Sequence, residues 1–133
     1  MAKISTQLEL SAHMLSIFVP EEILSHFELD TIIENEREML FSMIEKQDGH
    51  PESLQGKEVV QDGFMNISII QSFPTKGKQC YIGLRRRRWK EKGSRKAYHN
   101  SFDFTSKGTM ATKEFGAFLK RNSLTVTPCS IVL

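Results

Sequence analysis

Gln79-Cys80-Tyr81-Ile82-Gly83-Leu84-Arg85-Arg86-Arg87-Arg88-Trp89-Lys90 runs without a break from an apolar stretch into a block of cations. Its β-branched and aromatic content predicts a strand. Glu91-Lys92-Gly93-Ser94 follows as a turn in which glycine can take positive φ, and Arg95 to Phe104 is read as the returning strand. Along a strand, side chains alternate faces, so Arg85, Arg87 and Trp89 point one way and Arg86, Arg88 and Lys90 the other. Both faces are then cationic. Burying an unpaired guanidinium costs several kcal/mol, so this segment cannot lie between packed layers and is expected to project as a basic β-hairpin. Tyr81, Ile82 and Leu84 anchor its base.

Upstream, Phe64 to Phe73 reads as a strand closed by Pro74 and Gly77. Leu8, Ala12, Leu15 and Phe18 fall at helical spacing, and Pro20 with Glu21 and Glu22 has the form of a second helix's first turn. Ile23, Leu24 and Phe27 would be its inward face, with its end at Asp30. Thr31 to Lys46 fits one helix face or two strands almost equally. Gln47 to Pro51 reads as a loop, continued by a polar stretch to Gly63. Downstream, Thr109 or Thr112 caps a helix carrying Phe115, Phe118 and Leu119 at i, i+3 and i+4. The expected class is α+β: short N-terminal helices, an antiparallel β-sheet with the projecting basic hairpin, and a C-terminal helix. Residues 1–121 are expected to form a single nucleic-acid-binding domain, and residues 122–133 a weakly ordered tail.

The chain of 133 residues is 39% hydrophobic and 26% charged, ordinary for a soluble domain. No run of about 18 apolar residues offers a membrane span. The N-terminus lacks a continuous apolar stretch of the signal-peptide kind, which points to the cytoplasm. Charge is sharply divided. Glu21 to Asp62 holds twelve acids against Arg37, Lys46 and Lys57, whereas Lys76 to Lys96 holds ten bases against Glu91 alone. Cys80 and Cys129 are read as plain thiols, Cys80 half-buried in its strand. Cys80, His99 and Cys129 lack paired spacing, so no metal and no cofactor is expected. His13, His26 and His50 fit helix-surface or turn roles, and the acids form no motif of catalytic type, so the chain is read as a non-enzyme.

A basic ribbon carrying planar side chains suits nucleic acid: arginine forks meet phosphates or guanine edges, lysines add charge, and aromatics pack on sugar or base. The expected contact set is Lys76, Lys78, Arg85, Arg86, Arg87, Arg88, Trp89, Lys90, Lys92, Arg95, Lys96 and Tyr98. Five such cations on phosphates would give a slope of log K against log salt of roughly −4 to −5. Against this stands the reading that the ribbon folds onto the chain's own acidic half, in surface ion pairs worth at most about 1 kcal/mol each. A targeting signal is a third reading. Trp89 alone is more often a core or rim residue than a stacking platform.

The combination also resembles a family. Asp62-Gly63-Phe64, Ser72-Phe73-Pro74, Lys76-Gly77-Lys78, the Arg85 to Trp89 run, Lys107-Gly108-Thr109, and Thr112-Lys113-Glu114-Phe115 with Phe118-Leu119-Lys120 are similar to the short N-terminal region of bacterial insertion-sequence transposases. That region is often encoded in its own reading frame, ahead of a DDE catalytic frame. The likeness covers roughly Phe18 to Arg121. It implies a hairpin at Thr31 to Lys46. More distant relatives carry a cysteine zinc ribbon where Lys90, Glu91 and Lys92 stand here, so no zinc is implied. The implied function is a non-catalytic, DNA-binding accessory domain of a transposase. Its partners would be double-stranded DNA, such as the element ends, and the DDE catalytic chain, with no membrane and no small-molecule substrate. The rival is a protein-interaction module of the transposase complex that makes no direct DNA contact.

Overall fold

A computed structural model describes residues 3–5 and 12–131 of the chain; Leu8, read above as part of the first helix, lies outside them. The architecture is α+β. Two short helices, α1 (Ala12–Phe18) and α2 (Glu21–Leu24), precede the hairpin β2 (Phe27–Glu34) and β3 (Glu38–Glu45). Thr31 to Lys46 therefore resolves as strand, turn and strand. The turn is fixed by Asn35, whose Oδ1 accepts the N–H groups of Arg37 at 2.9 Å and Glu38 at 2.8 Å. The second helix ends at Leu24, not Asp30. Phe27 is buried as expected, but as the first residue of β2, paired with Glu45.

β5 (Ser68–Thr75) and β6 (Lys78–Arg85) form the next hairpin. Lys76 and Gly77 both take positive φ, 53° and 75°, as a tight two-residue turn requires. Among the described residues the main sheet has the order β1-β2-β3-β6-β5, where β1 is Lys3–Ser5. Its one parallel pairing joins β3 to β6, with Phe41 beside Ile82 and Leu40 beside Tyr81. These central strands are covered on both faces. On one face Leu15 and Ile23 from the helices and Val19 from the link between them meet Phe27, Phe41, Met43, Ile70, Ile82 and Leu84, and Phe102 and Phe104 fold in from the 95–104 segment. Burying a side chain of this size contributes roughly 1.5–3 kcal/mol.

On the other face lies the tail. It is held as far as Ser130 by specific bonds: Tyr81 Oη donates to Thr127 O at 2.7 Å, Gln71 Oε1 accepts Thr127 N–H at 2.7 Å, and Glu38 Oε2 accepts Ser130 N–H at 2.9 Å. α3 (Lys113–Arg121) packs beside β5, with Thr112 as N-cap accepting the N–H of Phe115. Among the described residues, no helix is long and apolar enough to cross a membrane.

The basic segment departs from the simple hairpin reading. β6 stops at Arg85, and a separate strand β7 (Arg87–Glu91) pairs antiparallel with β4 (Val59–Phe64) in a two-stranded sheet. The partner strand thus comes from the stretch read as polar loop, and the returning segment 95–104 contributes only a bridge between Tyr98 and Trp89. The physical reason is charge. Glu58 and Asp62 flank and occupy β4, opposite the cations of β7, and Gly63, at φ 74°, accommodates the bulge between Gln61 and Phe64.

Candidate nucleic-acid interface

The switch from β6 to β7 falls at Arg86, whose carbonyl accepts the Met65 N–H at 2.8 Å. From there β7 presents two different faces. Arg87 and Trp89 point inward, each 7% exposed. Arg87 Nε donates to Glu45 O at 2.7 Å, its Nη1 donates to Gln61 Oε1, and its backbone N–H donates to Glu45 Oε1 at 2.9 Å. The guanidinium also lies 5.3 Å from the Phe64 ring centre. The other carboxylate oxygen of Glu45, a residue only 2% exposed, accepts from Asn100 Nδ2 at 2.6 Å. The expectation that both ribbon faces must project is therefore corrected. A buried acid at the end of β3 and the Gln61 amide satisfy one arginine, so its face packs. Trp89 lies 6.1 Å from the His50 ring, and among the described residues its indole N–H has no partner. Neither Arg87 nor Trp89 is presented to a ligand.

The outward face carries Arg86, Arg88 and Lys90, all partly exposed. Arg86 Nη1 donates to Asn100 O at 3.2 Å and lies 3.2 Å from His99 Nδ1. Arg88 pairs with Asp62 at 3.0 Å; the two side chains are 44% and 38% exposed. The Arg88 hydrogen bond and then the Lys90 charge hold the Asp62 carboxyl below its usual range. The Arg85 guanidinium lies over the ring of Phe64, at 5.9 Å. Lys92, at the tip, is mostly exposed despite a 3.3 Å contact with Glu58. Arg95 and Lys96 are exposed, and the Lys96 ammonium sits 5.1 Å from the ring centre of Tyr98.

The twelve residues expected to act together are thus divided. Lys76 and Lys78 lie at the opposite end of β6 from Arg85, roughly 23 Å away for seven steps of strand, and Lys78 is occupied by Glu34 at 3.0 Å. Arg87 and Trp89 form the inner support. Arg85, the last residue of β6, lies over Phe64 and stands apart from the β7 faces. What remains on the outer face and tip is Arg86, Arg88, Lys90, Lys92, Arg95, Lys96 and Tyr98, interrupted by Glu58, Asp62 and Glu91. Glu45, Gln61 and Asn100, which hold the arginines in place, were not singled out from sequence, and Asp62 entered only as part of the Asp62-Gly63-Phe64 motif, not as the partner of Arg88. Their signal was the acidic excess of the first half, readable as a total but not as pairs.

Among the described residues, no group of three or more His, Cys, Asp or Glu side chains could hold a metal ion. Cys80 is buried and Cys129 partly so; burial pushes the Cys129 thiol up, outweighing the backbone N–H of Ile131 that favours its thiolate. Comparison with protein-family models, curated proteins and solved structures gives no match.

Proposed function

We propose that the chain is a non-catalytic, DNA-binding accessory domain of a transposase, and that it contacts duplex phosphates through the tip of the β4–β7 ribbon rather than through the arginine run as a whole. The observation that carries this reading is the cluster Lys90, Lys92, Arg95 and Lys96. It is built on the two-stranded β4–β7 base, and among the described residues only Lys92 of the four makes an ion pair, an exposed one of small energetic consequence. Arg86 and Arg88 flank the cluster with donors left over after their internal bonds, and Tyr98 adds an aromatic face beside Lys96. The resemblance to the N-terminal region of insertion-sequence transposases supplies the biological setting. In that setting the DNA is an element end, and the chemistry belongs to a separate DDE chain.

The rival, a protein-interaction module without DNA contact, draws support from Arg87 and Arg88, whose guanidinium groups are already engaged inside the chain. Fluorescence anisotropy of a labelled duplex separates the two. The variant to use is Lys90→Ala/Lys92→Ala/Arg95→Ala/Lys96→Ala, which leaves the buried support intact. Loss of four phosphate contacts should weaken binding at least about tenfold in moderate salt. A wild type that does not bind, or a variant that binds equally well, would favour the interaction module.

A further inference from the structure

On a part of the molecule that the proposed DNA surface does not use, a cavity of about 530 Å³ lies between the helix pair α1–α2 and the start of α3. Phe18, Val19, Phe73 and Cys80 give it an apolar lining. The apolar surface continues beyond the cavity: Ile17 on its rim is 70% exposed and Phe73 41%, and Phe118, one turn along α3 from Glu114, is 36% exposed with its ring centre 5.8 Å from that of Phe73. Acids surround it. Glu21, Glu22 and Glu114 line the opening, and the only basic side chain among the lining residues, Lys113, is engaged by Glu22 at 3.2 Å. Glu21 and Glu114 make no ion pair among the described residues.

We infer that this groove docks a basic amphipathic helix of another protein, its apolar stripe laid along Ile17, Phe73 and Phe118 and its lysines or arginines facing Glu21 and Glu114. Four features select this occupant. The acidic rim repels nucleic acid. The exposed apolar side chains extend past the cavity onto both flanking helices, farther than a small ligand covers. An added strand is disfavoured because the neighbouring edge of β5 is already bonded at Gln71, whose N–H and C=O pair with Met110 and Thr112. A second copy presenting its own basic tip would offer a β-ribbon rather than an amphipathic helix, so a different chain fits better.

The test uses a 15-residue peptide of leucine and lysine, with leucines at i, i+3, i+4 and i+7 spacing, and a matched peptide with glutamate in place of lysine, titrated into the full chain by calorimetry. The lysine peptide should bind and the glutamate peptide should not. Ile17→Ser, at a surface position that leaves the core untouched, should weaken binding about fivefold through lost apolar contact. Glu21→Gln/Glu114→Gln should weaken it at low salt and leave little difference at high salt. Equal binding of both peptides, no binding of either, an Ile17→Ser variant that binds like wild type, or self-association of the chain that Ile17→Ser abolishes would each overturn the inference. None of these results depends on DNA binding.

Discussion

Replacing Arg87 with alanine should destabilise the fold far more than replacing any neighbouring arginine. Its side chain is buried and donates from Nε to Glu45 O and from Nη1 to Gln61 Oε1. Hydrogen bonds from a charged donor are worth about 1.5–3 kcal/mol each when the acceptor is left unsatisfied. Gln61 is exposed and water can replace its partner, so its share is discounted. The sum is about 2–4 kcal/mol, a large part of the 5–15 kcal/mol typical of a domain. Arg88→Ala removes a half-exposed ion pair and should cost below about 1 kcal/mol. Arg87→Lys should recover only part of the loss, because an ammonium cannot reproduce the fork that spans two acceptors. Urea unfolding followed by circular dichroism reads all three, and at m-values of 1–3 kcal/mol/M the Arg87→Ala midpoint falls by about 0.7–4 M. An Arg87→Ala variant no less stable than Arg88→Ala would refute the inward placement of Arg87.

Trp89, buried against His50, should emit at short wavelength, resist iodide quenching and keep its emission on DNA addition; a red-shifted spectrum quenched by DNA would place it on the surface instead. Gly116→Ala should cost about 1–3 kcal/mol despite alanine's higher helix propensity, because its Cβ would lie 2.2 Å from Ser106 Cβ; thermal melts check this, and a stabilised variant would contradict the close approach. Burial, with the Glu38 carboxylate as the next cause, pushes the Tyr81 phenol up to about 12, from an ordinary value of 10. Below pH 10 both folded and unfolded chains keep the proton. Between about 10 and about 12 only the unfolded chain loses it, so stability should fall by up to about 1.4 kcal/mol per pH unit. Tyr81→Phe should flatten that fall in urea titrations at pH 9 and pH 11, and an unchanged slope would count against the burial argument.

The α+β class, the threonine-capped C-terminal helix and the inward Phe115 and Leu119 could be read from pattern because each rests on local spacing or capping chemistry, whereas the pattern at 31–46 fitted helix and strands alike. The partner of the basic strand could not. Alternation placed Arg85, Arg87 and Trp89 on one face correctly in kind, but whether that face is wet depends on Glu45, some forty residues away in sequence and brought near only by the parallel pairing of β3 with β6. The same non-local pairing explains the misread at 59–64. Val59-Val60-Gln61-Asp62 has little strand pattern of its own, and it becomes a strand because β7 offers it a ladder and opposite charge. The tail's attachment was equally hidden, since Gln71, Tyr81 and Glu38 hold it from three different strands.

The central claim is that phosphates are met by the ribbon tip while the arginine run serves as support, and the salt dependence of duplex binding tests it most directly. With Lys90, Lys92, Arg95 and Lys96 each neutralising one phosphate, log K against log salt should fall with a slope of roughly −3 to −4 from these four alone, and the fourfold alanine variant should remove that share of the slope while keeping the wild-type melting curve. A variant that keeps the wild-type slope, or a wild type whose binding does not respond to salt, would contradict the account.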